Sequence, residues 1–353
     1  MKKSHTKSIK MRILVIRFSA MGDVALTMPA ISGMKALNPD VEIVVLTRAA
    51  FSSFFAGVDG LTLFLPDFNG RHKGFAGIFR IFCDIRKTGK FDYVIDLHSV
   101  IRSKILGALF RFAGSNVFVI DKGRDEKRRI IKGLDKRQLK HSAERYMDTF
   151  KKAGFNTAAT AGPWIRPSEN AFGKLPAIIN NKNVINIGIA PFAKHPLKMW
   201  PEEYMEKLLQ LMSENRNVKF WFFGGREDKE GLEAMAAKTG NAFCVAGAYA
   251  LDVELAIISK LGFMIAMDSS NMHMAALVST KVISIWGATD PMTGFGAWNQ
   301  PENYSVRISP DELTCRPCTV FGKGACRRND FACMKTLTPE MVYDRIVGEG
   351  LLT

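Results

Sequence analysis

The sequence predicts an α/β protein built from two Rossmann-like, doubly wound halves facing a cleft. Three observations lead there. Short β-branched runs alternate with segments of helical periodicity along most of the chain, as parallel strands joined by crossover helices require. The alternation pauses at residues 154–183, where Thr, Ala, Gly, Pro and Asn dominate, and then restarts. A chain of 353 residues also suffices for two domains, each with its own core.

Taken in order, residues 11–17 (MRILVIR) read as a strand, followed by a turn and a helix over residues 23–37 that Asn38-Pro39 stops. Residues 41–47 (VEIVVLT) and 61–65 are the next strands. A helix over 75–87 leads to a buried strand at 93–97 (YVIDL) that ends at His98. A helix at 102–112 and a strand at 117–120 follow, then a basic loop and a helix at 142–153. After the linker, residues 184–190 (VINIGIA) are a strand and 201–214 a helix with Pro201 in its first turn. The strand at 218–223 meets Gly224-Gly225, with helices at 229–239 and 251–259 beyond and a short strand at 243–245 between them. Residues 261–291 (LGFMIAMDSSNMHMAALVSTKVISIWGATDP) form strand, turn, short helix and strand, and a helix over 339–349 closes the chain. The halves span residues 1–165 and 180–353 and share no sequence repeat.

Composition narrows the function. The apolar fraction of 47% and charged fraction of 24% are those of a soluble globular protein, and no run approaches the ~20 apolar residues that cross a bilayer. The basic N-terminal residues precede a charged strand, not an apolar signal region, so they read as a disordered tail on a cytoplasmic protein. The net charge of +15 lies entirely in residues 1–160, which carry 29 Lys and Arg against 14 Asp and Glu. It is densest at 122–152. An anionic partner for the first half follows: nucleic acid, an acidic membrane surface or a phosphorylated substrate.

Chemistry concentrates at strand ends. Asp268, Ser269, Ser270 and His273 fall at the carboxyl end of one strand and the start of a helix, where open α/β sheets bind ligands and free N–H groups suit a phosphate. Lys198 precedes another helix and supplies a counter-charge for a phosphoryl oxygen. Gly224 and Gly225 let a ligand approach the backbone, and Glu227-Asp228 offer carboxylates to a ribose hydroxyl. The first βα turn, residues 17–24 (RFSAMGDV), lacks the GxGxxG spacing of a dinucleotide site, which argues against a nicotinamide enzyme. Asp23 in that turn fits either a general base or a helix N-cap. Cys83 and Cys244 sit in apolar settings as core thiols. Cys315, Cys318, Cys326 and Cys333 begin as CxxC but are not spaced as a standard zinc ribbon; structural zinc and free thiols both stay open.

The stretches RILVIRFSAMGDVALTMPAI, DYVIDLHSVIRSK, HSAERYMDTFKKAGF, the K-x-W-P at residues 198–201, FFGGREDKEG and AMDSSNMHMAAL…VISIWGATDP resemble, in order and over nearly the whole chain, the bacterial lipopolysaccharide heptosyltransferases. These are ADP-heptose-dependent inverting glycosyltransferases of the GT-B fold. The resemblance implies Asp23 as catalytic base and Lys198 as the cation that neutralises the leaving diphosphate. It implies a nucleotide-sugar site at Asp268, Ser269, Ser270 and His273 with Gly224, Gly225 and Asp228, and an acceptor side at Arg17, His98, Arg102 and Lys104. Ser270 departs from the family's motif, which has glycine there. No cofactor is required in this reading beyond the ADP-heptose substrate, and no metal if Lys198 and the helix-start N–H groups suffice for the diphosphate, which fits the absence of a D-x-D motif near the donor site. The acceptor is a phosphorylated, lipid-linked saccharide, so residues 122–140 are expected to touch the inner-membrane surface.

Two rival functions fit parts of the sequence. Another nucleotide-sugar enzyme on the same scaffold would use a different donor or, as a non-hydrolysing epimerase, change a nucleotide-sugar without any acceptor. A nucleic-acid-binding protein would use the basic half, and its affinity would fall steeply with salt; the interleaved aromatics of a single-strand groove are missing from that half.

Overall fold

A computed structural model describes residues 11–214 and 217–352; the basic tail expected at residues 1–10 lies outside them. The chain forms two compact units that exchange segments: Met1–Ala20, Thr27–Asp121 and Ala143–Thr160 make the first, and Met21–Leu26, Lys122–Ser142 and Ala161–Thr353 the second.

The first unit carries five parallel strands, β1 (Arg12–Ile16), β2 (Glu42–Leu46), β3 (Leu61–Phe64), β4 (Tyr93–Asp96) and β5 (Asn116–Val119), in the order β3-β2-β1-β4-β5. Every pairing is parallel. β1 and β2 are close to fully buried runs of Ile, Leu and Val, as strands covered on both faces must be, and β4 buries Val94, Ile95 and Asp96. The core on one face joins Leu14, Ile16, Val44, Ile81, Ile85, Val94 and Phe110.

The second unit carries β6 (Ile185–Ala190), β7 (Val218–Phe222), β8 (Ala242–Cys244), β9 (Phe263–Met267), β10 (Lys281–Ile285) and β11 (Ser305–Val306), ordered β11-β10-β9-β6-β7-β8 and parallel throughout. Counted from β6 this is the doubly wound order 3-2-1-4-5-6. Its core gathers Ile187, Leu208, Phe220, Phe222, Phe263, Ile265, Ile283 and Ile346. In each sheet the chain reverses direction beside one central pair, β1 with β4 and β6 with β9, and ligand sites belong at the carboxyl ends of such pairs.

Three local features differ from the expected elements. The helix expected over 23–37 is two helices, Met21–Ala25 and Met28–Leu37. Pro29 explains the break: it has no N–H, and its ring would collide with the carbonyl of Ala25 four residues back. The basic loop contains a helix, Arg124–Ile131, entered through Gly123 at φ 59°. Asp125 and Glu126 in its first turn and Arg128 and Arg129 in its last complement the helix dipole. The expected linker is packed: Trp164 and Ile165 are buried, and both their N–H groups donate to the Leu277 carbonyl.

Candidate active site

In the second unit the loops after β6 and β9 meet. Lys198 ends a short 3-10 turn, Pro196–Lys198, and its Nζ lies 2.7 Å from Oδ2 of Asp268, which directly follows β9. Both side chains are largely withdrawn from water, at 14% and 8% exposure, so the two charges hold one another in place. Gly322, at φ +77°, packs on the lysine stem, and a Cβ there would meet Lys198 Cγ at 2.7 Å. The segment bearing Gly322 is pinned by buried Arg316, which pairs with buried Asp290 and donates to the carbonyls of Gly287 and Thr289, and by the Cys318 N–H on the Ala288 carbonyl. A cover over the lysine is thereby built from the tail.

The helix Ser270–Leu277 starts immediately after Asp268 and Ser269. Its first N–H groups have no carbonyl within the helix to bond. Two buried polar atoms here lack a partner, Ser269 Oγ and His273 Nδ1. Unsatisfied buried groups are rare and costly, and side by side at a strand end they mark a place for a ligand. Burial pushes the His273 imidazole down to about 4; Asp268 and Asp23 pull the other way, and His141 and Lys198 add to the depression. It is therefore neutral at physiological pH. His195 is also held below its usual value, first by lost hydration and then by Lys198, Lys323 and Lys194. Three lysines around one imidazole make a positive field suited to a diphosphate.

Asp23 belongs to the same unit. Its helix, Met21–Ala25, packs on Ser270–Leu277 through Gly22, where a Cβ would lie 2.8 Å from His273 Cδ2 and 3.4 Å from Ser270 Cα. Only glycine admits so close an approach. The half-buried carboxylate one residue on is near enough to bias the His273 charge.

The Gly224-Gly225 turn follows β7. One oxygen of Asp228 accepts the Gly225 N–H at 2.8 Å, and a Cβ on Gly224 would press on Leu232 and Asp228. Asp228 thus organises the turn with one oxygen.

In the first unit the ends of β1 and β4 bring together three of the four predicted acceptor residues. Arg17 is buried, donates from Nη1 to the Leu97 carbonyl at 2.6 Å and lies 5.7 Å over the Tyr146 ring. His98 Nε2 is 3.3 Å from Ser19 Oγ, and its ring meets the edge of Phe18. Phe18 in turn contacts Phe68, over which the Arg102 guanidinium sits at 4.5 Å. Buried Asp96 shapes this end by accepting the N–H groups of His98 and Ser99 and the Ser103 hydroxyl. Lys104 is exposed on the helix Ile101–Phe112, outside that group.

Residues 122–142 of the basic run do not join the first unit. Leu139 and Ser142 donate N–H groups to the Met292 and Gly294 carbonyls, and the Lys127 ammonium sits 4.1 Å over the Phe295 ring. Among the described residues no three His, Cys, Asp or Glu side chains are grouped to hold a metal ion, Cys315, Cys318, Cys326 and Cys333 included. All six cysteines are free thiols. Reading the sequence missed Gly22, Lys323 and His141. His141 heads one matching stretch and Gly22 lies inside another, RILVIRFSAMGDVALTMPAI, whereas Lys323 emerges from packing alone.

Comparison with known proteins bears on the family and the fold. The profile of glycosyltransferase family 9 (heptosyltransferase) matches residues 79–322. Lipopolysaccharide heptosyltransferase 1 of Pseudomonas aeruginosa is 24% identical over 322 residues, 87% of this chain and 86% of its own length. The structure of the family 9 glycosyl transferase from Veillonella parvula superposes with a TM-score of 0.73 at 19% identity, covering 97% of each chain. The Escherichia coli heptosyltransferase WaaC with ADP-2-deoxy-2-fluoro heptose superposes at 0.64 and 19% identity, covering 86% of this chain and 95% of that one. The two parallel sheets are those of this GT-B-like fold.

Proposed function

Because the chain belongs to glycosyltransferase family 9, the heptosyltransferases, and so is a glycosyltransferase, we propose that it moves a heptose from ADP-heptose onto a phosphorylated saccharide of the lipopolysaccharide core, inverting the anomeric carbon. The observation that carries the reading is the contact at Gly22, which holds the helix of Asp23 against the helix of Ser270 and His273. An ADP-heptose-type donor is supported by the WaaC structures with ADP and with an ADP-heptose analogue.

In this reading the diphosphate lies over the first turn of the helix Ser270–Leu277, within reach of Ser269 Oγ and His273. Asp268 keeps Lys198 aimed at it through their ion pair. The second oxygen of Asp228 serves the ribose, and Gly224 and Gly225 leave room for it. Arg17, His98 and Arg102 hold the phosphoryl groups of the acceptor, with Lys104 exposed on the same helix as Arg102 and outside that group. Asp23 takes the proton of the acceptor hydroxyl as its oxygen attacks the anomeric carbon and the bond to the diphosphate breaks. Lys198 and the helix-start N–H groups absorb the charge that grows on the departing ADP. Losing one oriented donor of this kind typically costs ~10²–10³ in rate.

The test is to incubate the enzyme with ADP-heptose, with and without a phosphorylated core acceptor, and to determine the anomeric configuration of the product by NMR. Transfer with inversion, only when acceptor is present, is expected. Donor epimerisation without acceptor, or transfer from a UDP-sugar in preference to ADP-heptose, would overturn the proposal.

A further inference from the structure

The helix Gly74–Lys87 is apolar on two faces. Gly77, Ile78, Ile81 and Ile85 face the core of the first unit. The opposite side exposes Phe75, Phe79 and Cys83, an i, i+4, i+8 stripe of apolar side chains in water, with Ala76 exposed beside it. Phe75 is 66% exposed and Phe79 43%, with their rings 5.6 Å apart. Ile101, 80% exposed, opens the helix Ile101–Phe112 that packs beside it. Lone exposed apolar residues need no explanation, whereas a stripe of them does.

Charge identifies the occupant. Residues 71–90 hold six Lys and Arg, namely Arg71, Lys73, Arg80, Arg86, Lys87 and Lys90, against the single acid Asp84. That carboxylate is already shared by Arg71 at 2.6 Å, His72 at 3.2 Å and Lys87 at 3.4 Å. Exposed aromatic side chains among an excess of cations, which the sequence reading did not expect in this half, form the pattern of a helix lying in a membrane interface, rings among acyl chains and cations on anionic headgroups. The run at 122–140 differs: its Arg128, Lys136 and Arg137 face Asp125, Asp311, Glu126 and Asp135, and its Lys127 is buried.

We propose that the exposed Phe75–Phe79–Cys83 stripe of the helix Gly74–Lys87, with its flanking cations, docks the protein on an anionic bilayer. The inference deepens the proposed lipid-linked acceptor: Ile101 neighbours Arg102, so the docked edge adjoins the acceptor residues of the same unit. It can fail without that reading failing, because vesicle binding needs neither donor nor acceptor.

The experiment is cosedimentation of the full chain with phosphatidylethanolamine–phosphatidylglycerol vesicles (3:1) and with phosphatidylcholine vesicles. Binding is expected on the first, weakly on the second, and to fall as salt rises through the physiological range. The double substitution Phe75→Ser/Phe79→Ser should lower the partition constant about a hundredfold, while transfer to a water-soluble, deacylated acceptor stays unchanged. As a second readout, Phe79→Trp should gain fluorescence quenching by brominated acyl chains beyond that of the unsubstituted protein. Equal binding by the double variant, no binding by the parent, or no added quenching would overturn the proposal. So would a parent dimer that the double substitution dissolves, which would assign the stripe to a second copy of the chain.

Discussion

Replacing Gly22 by alanine perturbs one contact and leaves every charged group in place. The new Cβ would stand 2.8 Å from His273 Cδ2, against the ~3.5–4.0 Å at which carbon atoms rest. Neither side yields easily: His273 is 6% exposed, and Gly22 lies inside a helix. Overpacking of this kind costs about 1–3 kcal/mol, and the helix recovers about 0.5–1 kcal/mol from losing a glycine. A net destabilisation of about 1–2 kcal/mol is expected by urea unfolding. In a His273→Ala background the colliding ring is gone, so the same substitution should become neutral or stabilising, a coupling of about 1–3 kcal/mol. Turnover of Gly22→Ala alone should drop about 100-fold, as displacements near 1 Å do to a positioned catalytic group. Additive stability effects in the double-mutant cycle would mean that the two helices do not meet at this point, and the placement of Asp23 beside the donor helix would fall with them.

Two further outcomes follow from the same geometry. Lys198→Met strands buried Asp268 without its counter-ion and should cost about 3 kcal/mol of stability and ~10²–10³ in turnover; adding Asp268→Asn should restore much of the stability and none of the turnover, and recovery of turnover would reject Lys198 as the phosphate cation. For His273, the native ring stays neutral down to about pH 4, whereas the unfolded chain protonates near pH ~6.5. The unfolded state therefore binds the extra proton between those values, and stability falls through that window as pH drops, by about 3 kcal/mol in total. His273→Gln should flatten the stability profile from pH ~6.5 to ~4, and an unchanged slope in urea titrations would contradict a buried neutral imidazole.

The sheets were legible because parallel strands covered on both faces leave continuous β-branched runs, and β1, β6 and β9 fall where RILVI, INIGIA and FMIAM stand. The grouping of Asp268, Ser269 and His273 was legible for a local reason: they occupy one strand end and one helical turn, so their proximity is fixed by sequence separation alone. The pairing of Lys198 with Asp268 joins loops seventy residues apart in sequence and needed the strand order, which brings β6 beside β9. The break at Pro29 was readable from the ring's missing donor, yet the apolar periodicity on both sides concealed it. Neither Gly22 nor Gly322 announces its role, because a glycine required by a neighbour's side chain looks in sequence like any other. The run Lys122–Ser142 was assigned by composition to the first half; its backbone bonds to Met292 and Gly294 give it to the second unit, and charge counts carry no information about such bonds.

Turnover and donor affinity of Asp23→Asn, measured on one preparation, test the central claim most directly. The amide keeps the size and shape of the carboxylate but cannot accept the proton, so heptose transfer should be lost while ADP-heptose binds with unchanged affinity by calorimetry. Transfer persisting at more than a small fraction of the parent rate would contradict Asp23 as the base.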